Sequence, residues 1–468
     1  MTTLAPAVAA GHPATAEVGR QVLLAGGNAA DAAAAMVLAG CVAETLFTGL
    51  GGGGFATVLD GRTGEVHCLD FFVAVPGLDG TVPAPARTID VRFGGVAVPY
   101  AIGGPSVAVP GTPQGVAELH GRFGRLEWSD IVRPARDLAE LGSPFPEQHA
   151  ELLPDVAAAM VVGAGVTAYS RTGPDGLPRH LRAGELLHHE GLAATLDAYL
   201  HEGPALWTEG PYGRRLVDAV RVDGGALSTA DLQAYRVRDL PAERVPFAGR
   251  WIRVRGDDLD AFGATAVALD VEAVRAGGAA RVLALVEALR APTARSETTS
   301  LVAVDADGSA CVVTHSLGLG SGVWSDGVHG NSMLGEGELL RRTAAPGERM
   351  PSMMVPLVVT DDDGRAVLVG GAAGGSRIRS SLLQVLAGVL VQGRGAAAAV
   401  AAPRLAVLDE TVHLEPGFEP EVEVALRAAG HPVVRWAQSR PFFGGVAVVA
   451  ADGPAADPRR GGVAVPLG

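Results

Sequence analysis

The sequence predicts a layered α/β fold in which antiparallel sheets are covered by helices. Three observations predict it. The first quarter of the chain has both helix-like and strand-like patterns of apolar residues. The middle has mostly helical patterns, and strand patterns dominate from residue 298 onward. No internal repeat divides the chain, and its 468 residues suit one large unit or two closely packed pieces.

The first half begins with helices and then turns to strands. Residues 14–24 carry apolar side chains at helical spacing, and residues 28–45 form an alanine-rich pattern typical of a buried helix. In residues 55–71, apolar and polar side chains alternate on both sides of an Asp-Gly turn, which predicts a β-hairpin. Residues 111–240 predict mostly helices separated by Pro and Gly.

The second half changes character at Thr298. Residues 257–297 are alanine-rich and otherwise plain, which indicates a connector. Strand patterns follow in SLVAVDADG, SACVVTHS and MVPLVVTDDDG, and two helices then lead to further strands.

Composition excludes several function classes. Hydrophobic residues make up 48% of the chain and the mean hydropathy is +0.26, enough for a sizeable core. The net charge of −14, with arginine as the only basic residue besides histidine and no basic cluster, argues against nucleic acid or an anionic membrane as a partner. No apolar run is long enough to span a membrane, and the N-terminus lacks signal-peptide features. We therefore expect a cytoplasmic protein.

Other motifs carry weaker signals. Gly49, Gly51 and Gly54 spell G-x-G-x-x-G, but they follow a helix and open a strand, the reverse of a dinucleotide site. His188 and His189 have no partner cluster for a metal, so we interpret them as surface histidines. We expect no metal and no cofactor. The cysteines lack metal spacing and are expected to be buried thiols: Cys41, Cys68 and Cys311.

Two threonines, Thr298 and Thr299, stand just ahead of a predicted hairpin. Threonine is common in strands, so one interpretation is that they simply begin one. The other is that the chain is cut between Glu297 and Thr298, which makes Thr298 an N-terminal nucleophile. Its α-amine, with a reference pKa of about 8, would take the proton of its own hydroxyl. The hydroxyl could make the cut itself by attacking the preceding carbonyl.

A glycine pair lies downstream in GGAAGGSRI, between a predicted strand and a predicted helix. The backbone N–H groups of Gly374 and Gly375 would be donors to an oxyanion at the helix N-terminus. The alternative is a plain strand-to-helix turn.

These motifs, with others in a fixed order, resemble the γ-glutamyltransferase (γ-glutamyltranspeptidase) family of N-terminal-nucleophile hydrolases. The resemblance is good over 8–150 and 298–468, moderate over 186–255 and poor over 256–297. It is carried by GGNAADAAAA, TGLGGGGF, LDF, VAVPGTPQG, GGALSTADLQAY, TTSLVAVDADG, GGAAGGSRI, AAPR and ADPRRGG.

The resemblance implies a four-layer αββα sandwich made as a proenzyme. Self-cleavage would yield a large subunit, 1–297, and a small subunit, 298–468, which together form one intertwined sandwich. The two subunits would make a heterodimer, or a dimer of such heterodimers, that acts on a small-molecule substrate.

The resemblance also implies the catalytic residues. Thr298 would be the nucleophile, and the backbone of Gly374 and Gly375 would form the oxyanion hole. Ser316 matches a family threonine whose hydroxyl supports the nucleophile, so the hydroxyl is kept and the methyl group is lost.

The substrate pocket departs from the family pattern. The family's LDFRE arginine, which holds the α-carboxylate of a γ-glutamyl group, is Phe72 in this chain. An arginine that binds a carboxylate is thus replaced by an uncharged aromatic side chain. The acid of the amine-binding stretch is missing, unless Glu336 or Glu338 replaces it. The positions that match the family's substrate-binding residues are Phe72, Gly318, Ser332, Glu336, Ser352 and Met353.

Because the departures lie in one pocket and the nucleophile is kept, we expect a working enzyme with a changed substrate. The interpretation we favour is hydrolysis of a C–C bond beside a keto acid, as in antibiotic biosynthesis pathways that make 4-alkyl-L-proline units, with Phe72 facing a flat conjugated ring. The alternatives are a γ-glutamyl hydrolase, transferase or acylase acting on an amide bond, and a non-catalytic relic.

Overall fold

The computed structural model describes residues 4–93, 96–290, 298–336, 339, 344–408 and 410–467. The helices are α1 (Pro13–Leu24), α2 (Ala29–Ala43), α3 (Thr112–Phe123), α4 (Trp128–Leu141), α5 (Glu147–Met160), α6 (Gly165–Tyr169), α7 (Leu192–Glu202), α8 (Ala205–Thr208), α9 (Pro211–Val222), α10 (Thr229–Ala234), α11 (Phe262–Ala268), α12 (Val271–Ala276), α13 (Gly278–Ala288), α14 (Arg377–Leu386), α15 (Ala396–Ala401) and α16 (Pro420–Ala428).

The strands follow the same chain order. They are β1 (Ala7–Ala10), β2 (Gly53–Leu59), β3 (Val66–Phe71), β4 (Arg87–Phe93), β5 (Val96–Ile102), β6 (Ser143–Pro144), β7 (Ser170–Thr172), β8 (Pro178–His180), β9 (Leu186–Leu187), β10 (Arg238–Leu240), β11 (Ala242–Phe247), β12 (Arg250–Arg255), β13 (Thr299–Val304), β14 (Ala310–Ser316), β15 (Trp324–Ser325), β16 (Val328–His329), β17 (Leu357–Thr360), β18 (Ala366–Ala373), β19 (Leu405–Leu408), β20 (Thr411–Leu414), β21 (Val433–Arg435), β22 (Gly445–Ala450), β23 (Gly453–Ala456) and β24 (Val463–Pro466).

Two antiparallel sheets form the centre of the molecule. The first has the strand order β10-β3-β2-β14-β13-β1-β24, and the second has the order β11-β12-β17-β18-β22-β23. In the first sheet, β13 and β14, which follow Thr298 in the chain, lie between β2 and β1, which precede it. Neither half of the chain could therefore complete this sheet without the other.

The sheets pack face to face and helices cover their outer faces. Valines from both sheets, including Val302 and Val312 of the first and Val369 and Val449 of the second, form one buried cluster between them. Helices α1 and α2 pack on β1, β13 and β14, while α14 packs on β18 and β22. The predicted four-layer αββα sandwich is confirmed.

Helix α2 shows why the first layer can pack so closely. All of its residues are buried, and most are alanine, so its backbone approaches the sheet on one side and α4 on the other. Asn28 caps its N-terminus and Asp31 completes a capping box, as the sequence pattern of a helix start predicts. Among the described residues, no helix is long and apolar enough to cross a membrane.

The glycine-rich segment between α2 and β2 lets two backbones meet. A Cβ atom on Gly51 would lie 2.1 Å from the carbonyl oxygen of His329, and one on Gly52 would lie 2.1 Å from that of Ser316. The segment follows a helix and opens a strand, as expected, and its glycines serve close packing beside β14.

One prediction about the surface is wrong. His188 is exposed, but His189 is buried. The Nε2 atom of His189 lies 3.0 Å from the Thr45 hydroxyl, and its ring stacks on Trp324. Adjacent residues point in opposite directions, so one of the pair faces the core.

A buried ionic network ties the C-terminal segment to the second sheet. Asp457 accepts from Arg404 at 2.6 Å and from Arg459 at 3.2 Å, and its other contacts include the backbone N–H of Val446 at 3.1 Å. The side chains of all three charged residues are at most 4% exposed. This network holds the turn that carries Arg460.

Asp457→Ala should destabilise the protein strongly, because it leaves the buried Arg404 guanidinium without the carboxylate that balances its charge. We expect a loss of about 3–5 kcal/mol in the free energy of unfolding, measured by urea denaturation. The matched control is Glu17→Ala, which breaks a surface pair with Arg20 and should cost about 0–1 kcal/mol. Equal losses for the two variants would contradict this account of the network.

Candidate active site

Thr298 lies immediately before β13 and is buried. In the β13–β14 ladder, Thr299 pairs with His315 and Ser300 pairs with Thr314. One further step of this register sets Thr298 opposite Ser316, where Cα atoms are about 4.5–5.5 Å apart. Among the described residues, the Thr298 hydroxyl has no hydrogen-bond partner.

The face of the sheet that carries Thr298 and Ser316 follows from their neighbours. The hydroxyl oxygens of Ser300 and Thr314 are 3.0 Å apart, and a Cβ atom on Gly371 of the second sheet would lie 2.3 Å from the Ser300 oxygen. Side chains two residues apart on a strand share a face. The side chains of Thr298 and Ser316 therefore project between the two sheets.

The glycine pair predicted as the oxyanion hole joins β18 to α14. Gly374 has φ of +115° and Gly375 has φ of +58°, both in the region that favours glycine. A Cβ atom on Gly374 would lie 3.0 Å from the Cα atom of Gly444. Glycine is thus required here both by the backbone conformation and by close approach.

Arg460 connects the nucleophile to this glycine pair. Its Nη1 atom donates to the carbonyl oxygen of Thr298 at 3.4 Å, and its Nη2 atom lies 3.2 Å from the position of a Cβ atom on Gly374. Its guanidinium also lies over the ring of Phe47. The structure therefore brings Thr298 and Gly374 to the same guanidinium.

A small cavity of about 20 Å³ lies beside Thr298. Apolar side chains, glycines and a few charged groups line it. The charged or polar lining residues are Glu44, Thr298, Thr299, Ser300, Asp457 and Arg460. Of these, Arg460 is the group suited to an anionic substrate group next to the reacting carbonyl, whereas the carboxylates of Glu44 and Asp457 are not.

Polar groups that match predicted substrate-binding positions lie near Ser316. The Ser316 hydroxyl oxygen accepts from the backbone N–H of Gly318 at 2.9 Å. A Cβ atom on Gly318 would lie 2.6 Å from Glu336 Oε1 and 2.7 Å from Ser332 Oγ. The structure thus brings together three of the residues matched to the family's substrate-binding positions.

Tyr100 completes this cluster and was not found from the sequence. Its hydroxyl donates to the Glu336 carboxylate and accepts from Ser332 at 3.2 Å. Burial, and then the Glu336 charge, raises the pKa of Tyr100, so the phenol stays a donor. Tyr100 lies on the hairpin strand β5, far from Ser316 in sequence, and no motif marks it.

Glu338 and Glu297 lie outside the described residues.

Phe72 and Ser352 occupy a separate buried layer. Phe72 stacks on Phe55, with ring centroids 5.6 Å apart, and the Arg255 guanidinium lies over the Phe55 ring. Arg255 donates to the carbonyl oxygen of Ser352 at 3.2 Å. Met353 packs in the same apolar cluster as Phe72. None of these side chains lines the pocket beside Thr298.

Glu44, also missed from the sequence, lies on the other face of the first sheet. Its carboxylate accepts from Thr299 at 2.5 Å and from Thr15 at 2.8 Å. Burial raises the pKa of the Glu44 carboxyl, and these two hydrogen bonds oppose the rise. The same face holds His315, whose Nδ1 atom lies 2.6 Å from the Thr48 hydroxyl.

A family model described as Gamma-glutamyltranspeptidase matches residues 15–252 and 272–467. The chain belongs to the gamma-glutamyltranspeptidase family. The resemblance inferred from the ordered motifs is confirmed, and with it the expectation of a hydrolytic enzyme. The nucleophile and the substrate-binding residues stay predictions.

Curated relatives of this gamma-glutamyltranspeptidase family member include acylases and glutathione hydrolases. The chain is 29% identical to the Acylase ACY 1 proenzyme of Pseudomonas sp. (strain V22), over 92% of this chain and 87% of that protein. It is also 29% identical to the Glutathione hydrolase proenzyme of Pseudomonas aeruginosa, over 81% of this chain and 79% of that protein.

Solved structures support the same fold. The cephalosporin acylase from Bacillus halodurans matches with a TM-score of 0.80 at 22% identity, over 100% of this chain and 97% of that one. LmbA2991HD matches with a TM-score of 0.77 at 20% identity, over 100% and 99%. At these identities the likeness establishes the fold and leaves the substrate open.

Buried histidines beside the pocket should make the fold sensitive to acid. Burial lowers the pKa of His149 to about 3, and its ring lies 5.0 Å from that of Phe47. A pKa below the unfolded value of about 6.5 gives stability that is present above pH 6.5 and is lost as the pH falls towards the folded pKa. Between pH 7 and pH 5, His149 should account for a loss of about 2 kcal/mol.

The variant His149→Phe should therefore reduce the loss of unfolding free energy between pH 7 and pH 5 by about 2 kcal/mol. The remaining slope comes from other buried histidines with lowered pKa values, such as His315 and His329. The matched control is His201→Phe, at a histidine whose side chain is 68% exposed, and it should keep the wild-type slope. If His149→Phe also kept that slope, the His149 ring would be solvated or charged in the fold.

Proposed function

We propose that the chain is a proenzyme that cuts itself between residues 297 and 298 and then uses Thr298 as an N-terminal nucleophile. The observation that carries the proposal is the common site of Thr298, Ser316 and Gly374, which come from three different strands or strand ends. The naming of both curated relatives as proenzymes supports the cleavage.

Each group would have a defined task. In the precursor, the Thr298 hydroxyl attacks the carbonyl carbon before it, the acyl group moves from nitrogen to oxygen, and water hydrolyses the resulting ester. In the mature enzyme, the free α-amine of Thr298 accepts the hydroxyl proton during attack on substrate. The Ser316 hydroxyl, opposite Thr298 in the ladder, would orient the nucleophile. The backbone N–H groups of Gly374 and Gly375 would hold the oxyanion.

Thr298→Ala should remain a single chain and should be inactive, because both reactions need its hydroxyl. Intact-mass measurement of the denatured protein checks the cut, and Thr298→Ser should cleave at least in part. The matched control is Ser300→Ala, which removes a hydroxyl two ladder pairs further along the same face and should still be cut. Cleavage of Thr298→Ala at the same bond would disprove self-cleavage by this residue.

We propose that the substrate has no γ-glutamyl α-carboxylate that would need an arginine at position 72 of the chain. Phe72 has no charge, it is buried against Phe55, and the nearby Arg255 is held by the carbonyl groups of Ser352 and Met354. An arginine–carboxylate contact that is lost from a buried site costs about 2–5 kcal/mol. Ordinary γ-glutamyl transfer should therefore be poor.

The reaction we propose is hydrolysis of a C–C bond beside a keto acid, in a precursor of the 4-alkyl-L-proline type. Thr298 Oγ1 bonds to the keto carbon, and the oxyanion is held at Gly374 and Gly375. The C–C bond then breaks, and its electron pair leaves with the conjugated fragment, which takes the proton from the α-ammonium group. Water hydrolyses the threonine ester and releases oxalate. Arg460, beside both Thr298 and Gly374, suits a carboxylate next to the attacked carbon.

A second candidate is hydrolysis of an amide, with an amine as the leaving group. The relative named Acylase ACY 1 proenzyme, which aligns over 92% of this chain, favours it. The same nucleophile, base and oxyanion donors would serve, so the two reactions differ only in the leaving group and in the group that meets Arg460.

Activity on two probes separates the candidates. We expect oxalate release from a 2-oxo acid that bears a conjugated ring, and none from the Thr298→Ala control. With γ-glutamyl-p-nitroanilide, kcat/KM should be at least about thirtyfold below that of the mature Pseudomonas aeruginosa glutathione hydrolase, the factor that corresponds to about 2 kcal/mol. A rate equal to that enzyme's would sink the changed-substrate proposal, and turnover of acyl amides alone would favour the second candidate.

A further inference from the structure

Glu44 is a buried carboxylate whose hydrogen bonds come from two threonine hydroxyls, Thr15 and Thr299. It follows α2, a helix whose residues are all buried, and is itself 1% exposed. Among the described residues, no arginine or histidine lies within ion-pair distance of Glu44. A buried carboxylate without a cation is costly unless hydrogen bonds compensate it. We therefore ask which residues the Glu44 carboxylate holds in place.

It holds the strand that carries the proposed nucleophile. One oxygen accepts from the Thr299 hydroxyl at 2.5 Å, and Thr299 is bonded directly to Thr298. The other oxygen accepts from Thr15 of α1 at 2.8 Å. The contact is tightly enclosed, because a Cβ atom on Gly11 would lie 2.3 Å from Glu44 Oε2 and 2.9 Å from Thr299 Oγ1.

Thr298 is the residue directly before this contact. The β13–β14 pairing begins at Thr299, so Thr298 lies just before the first pair of the ladder. Its own hydroxyl has no hydrogen-bond partner among the described residues. Because neighbouring side chains point to opposite faces, fixing Thr299 on the helix-facing side sets the backbone from which the Thr298 hydroxyl projects between the sheets.

We propose that Glu44 is a positioning residue for Thr298 and acts through the Thr299 hydroxyl. It aims the Thr298 hydroxyl at the carbonyl it attacks, first in the precursor and then in the substrate. This role rests on the proposed function of Thr298. Thr15 serves only to hold the second oxygen of the carboxylate.

The two hydroxyls on one carboxylate provide a matched test. Thr299→Val and Thr15→Val each remove one donor and keep the side-chain volume. Misplacement of a reacting group by about 1 Å can cost about 10²-fold in rate. We therefore expect Thr299→Val to slow self-cleavage, followed by intact mass over time, by about 10²-fold, and to lower kcat of the mature enzyme with little change in KM. Thr15→Val should leave both rates close to wild type at a similar loss of thermal stability.

Two conservative variants keep the test decisive if Thr299→Val fails to fold. Thr299→Ser retains the hydroxyl and should restore most of the cleavage rate and kcat. Glu44→Gln keeps the volume but weakens the acceptor, and should slow both reactions without raising KM. Equal rates for Thr299→Val and Thr15→Val, or wild-type kcat in Glu44→Gln, would overturn the positioning role.

The failure of this inference is distinguishable from failure of the proposed function. An uncut wild-type chain, or a Thr298→Ala chain that is cut, would refute the nucleophile itself. A cut wild type with an inert Thr298→Ala variant, together with a fully active Thr299→Val variant, would refute only the role of Glu44.

Discussion

The antiparallel pairing of β13 with β14 is the constraint on which the site depends. Its register places Thr298 opposite Ser316, and the opposite face of the same two strands packs on α2. A one-residue shift of this register would exchange the two faces of β13. The Thr298 hydroxyl would then point towards α2, and the Thr299 side chain would point towards the second sheet. Anything that holds this register therefore also holds the chemistry.

Close approach of the two sheets sets the second boundary of the site. Gly371 of β18 lies against Ser300 with no space for a side chain, so the sheets converge just below Thr298. The same strand leads directly into Gly374 and Gly375, whose positive φ angles turn the chain into α14. The proposed nucleophile and the proposed oxyanion donors are thus parts of facing sheets, and their separation is set by core packing.

Charge is distributed around the site in distinct roles. The Asp457 network is internally paired and holds the turn that presents Arg460. Arg460 donates to the Thr298 carbonyl oxygen and lies beside Gly374. Phe72, the predicted counterpart of the family's arginine clamp, lies within an apolar layer. Arg460 thus lies beside the proposed reacting carbonyl, whereas Arg255, the cation over the Phe55 ring next to Phe72, donates to the carbonyl oxygens of Ser352 and Met354.

The sequence by itself determined the family, the layered fold and the principal elements. These follow from local signals: the hydrophobic period of each segment, the glycines that need positive φ, and motifs that occur in a fixed order. It also marked Thr298 and the Gly374–Gly375 pair as candidates, because a threonine pair before a strand and glycines before a helix are local patterns.

Only the tertiary structure decided which side chains meet. Tyr100 comes from a hairpin more than 200 residues from Glu336, Arg460 reaches Thr298 from the C-terminal segment, and Glu44 meets Thr299 across 255 positions. None of these contacts has a spacing signal, because each is set by sheet register and layer packing. For the same reason His189, which looked like a surface residue, is buried, and Phe72 packs in a layer apart from the pocket at Thr298.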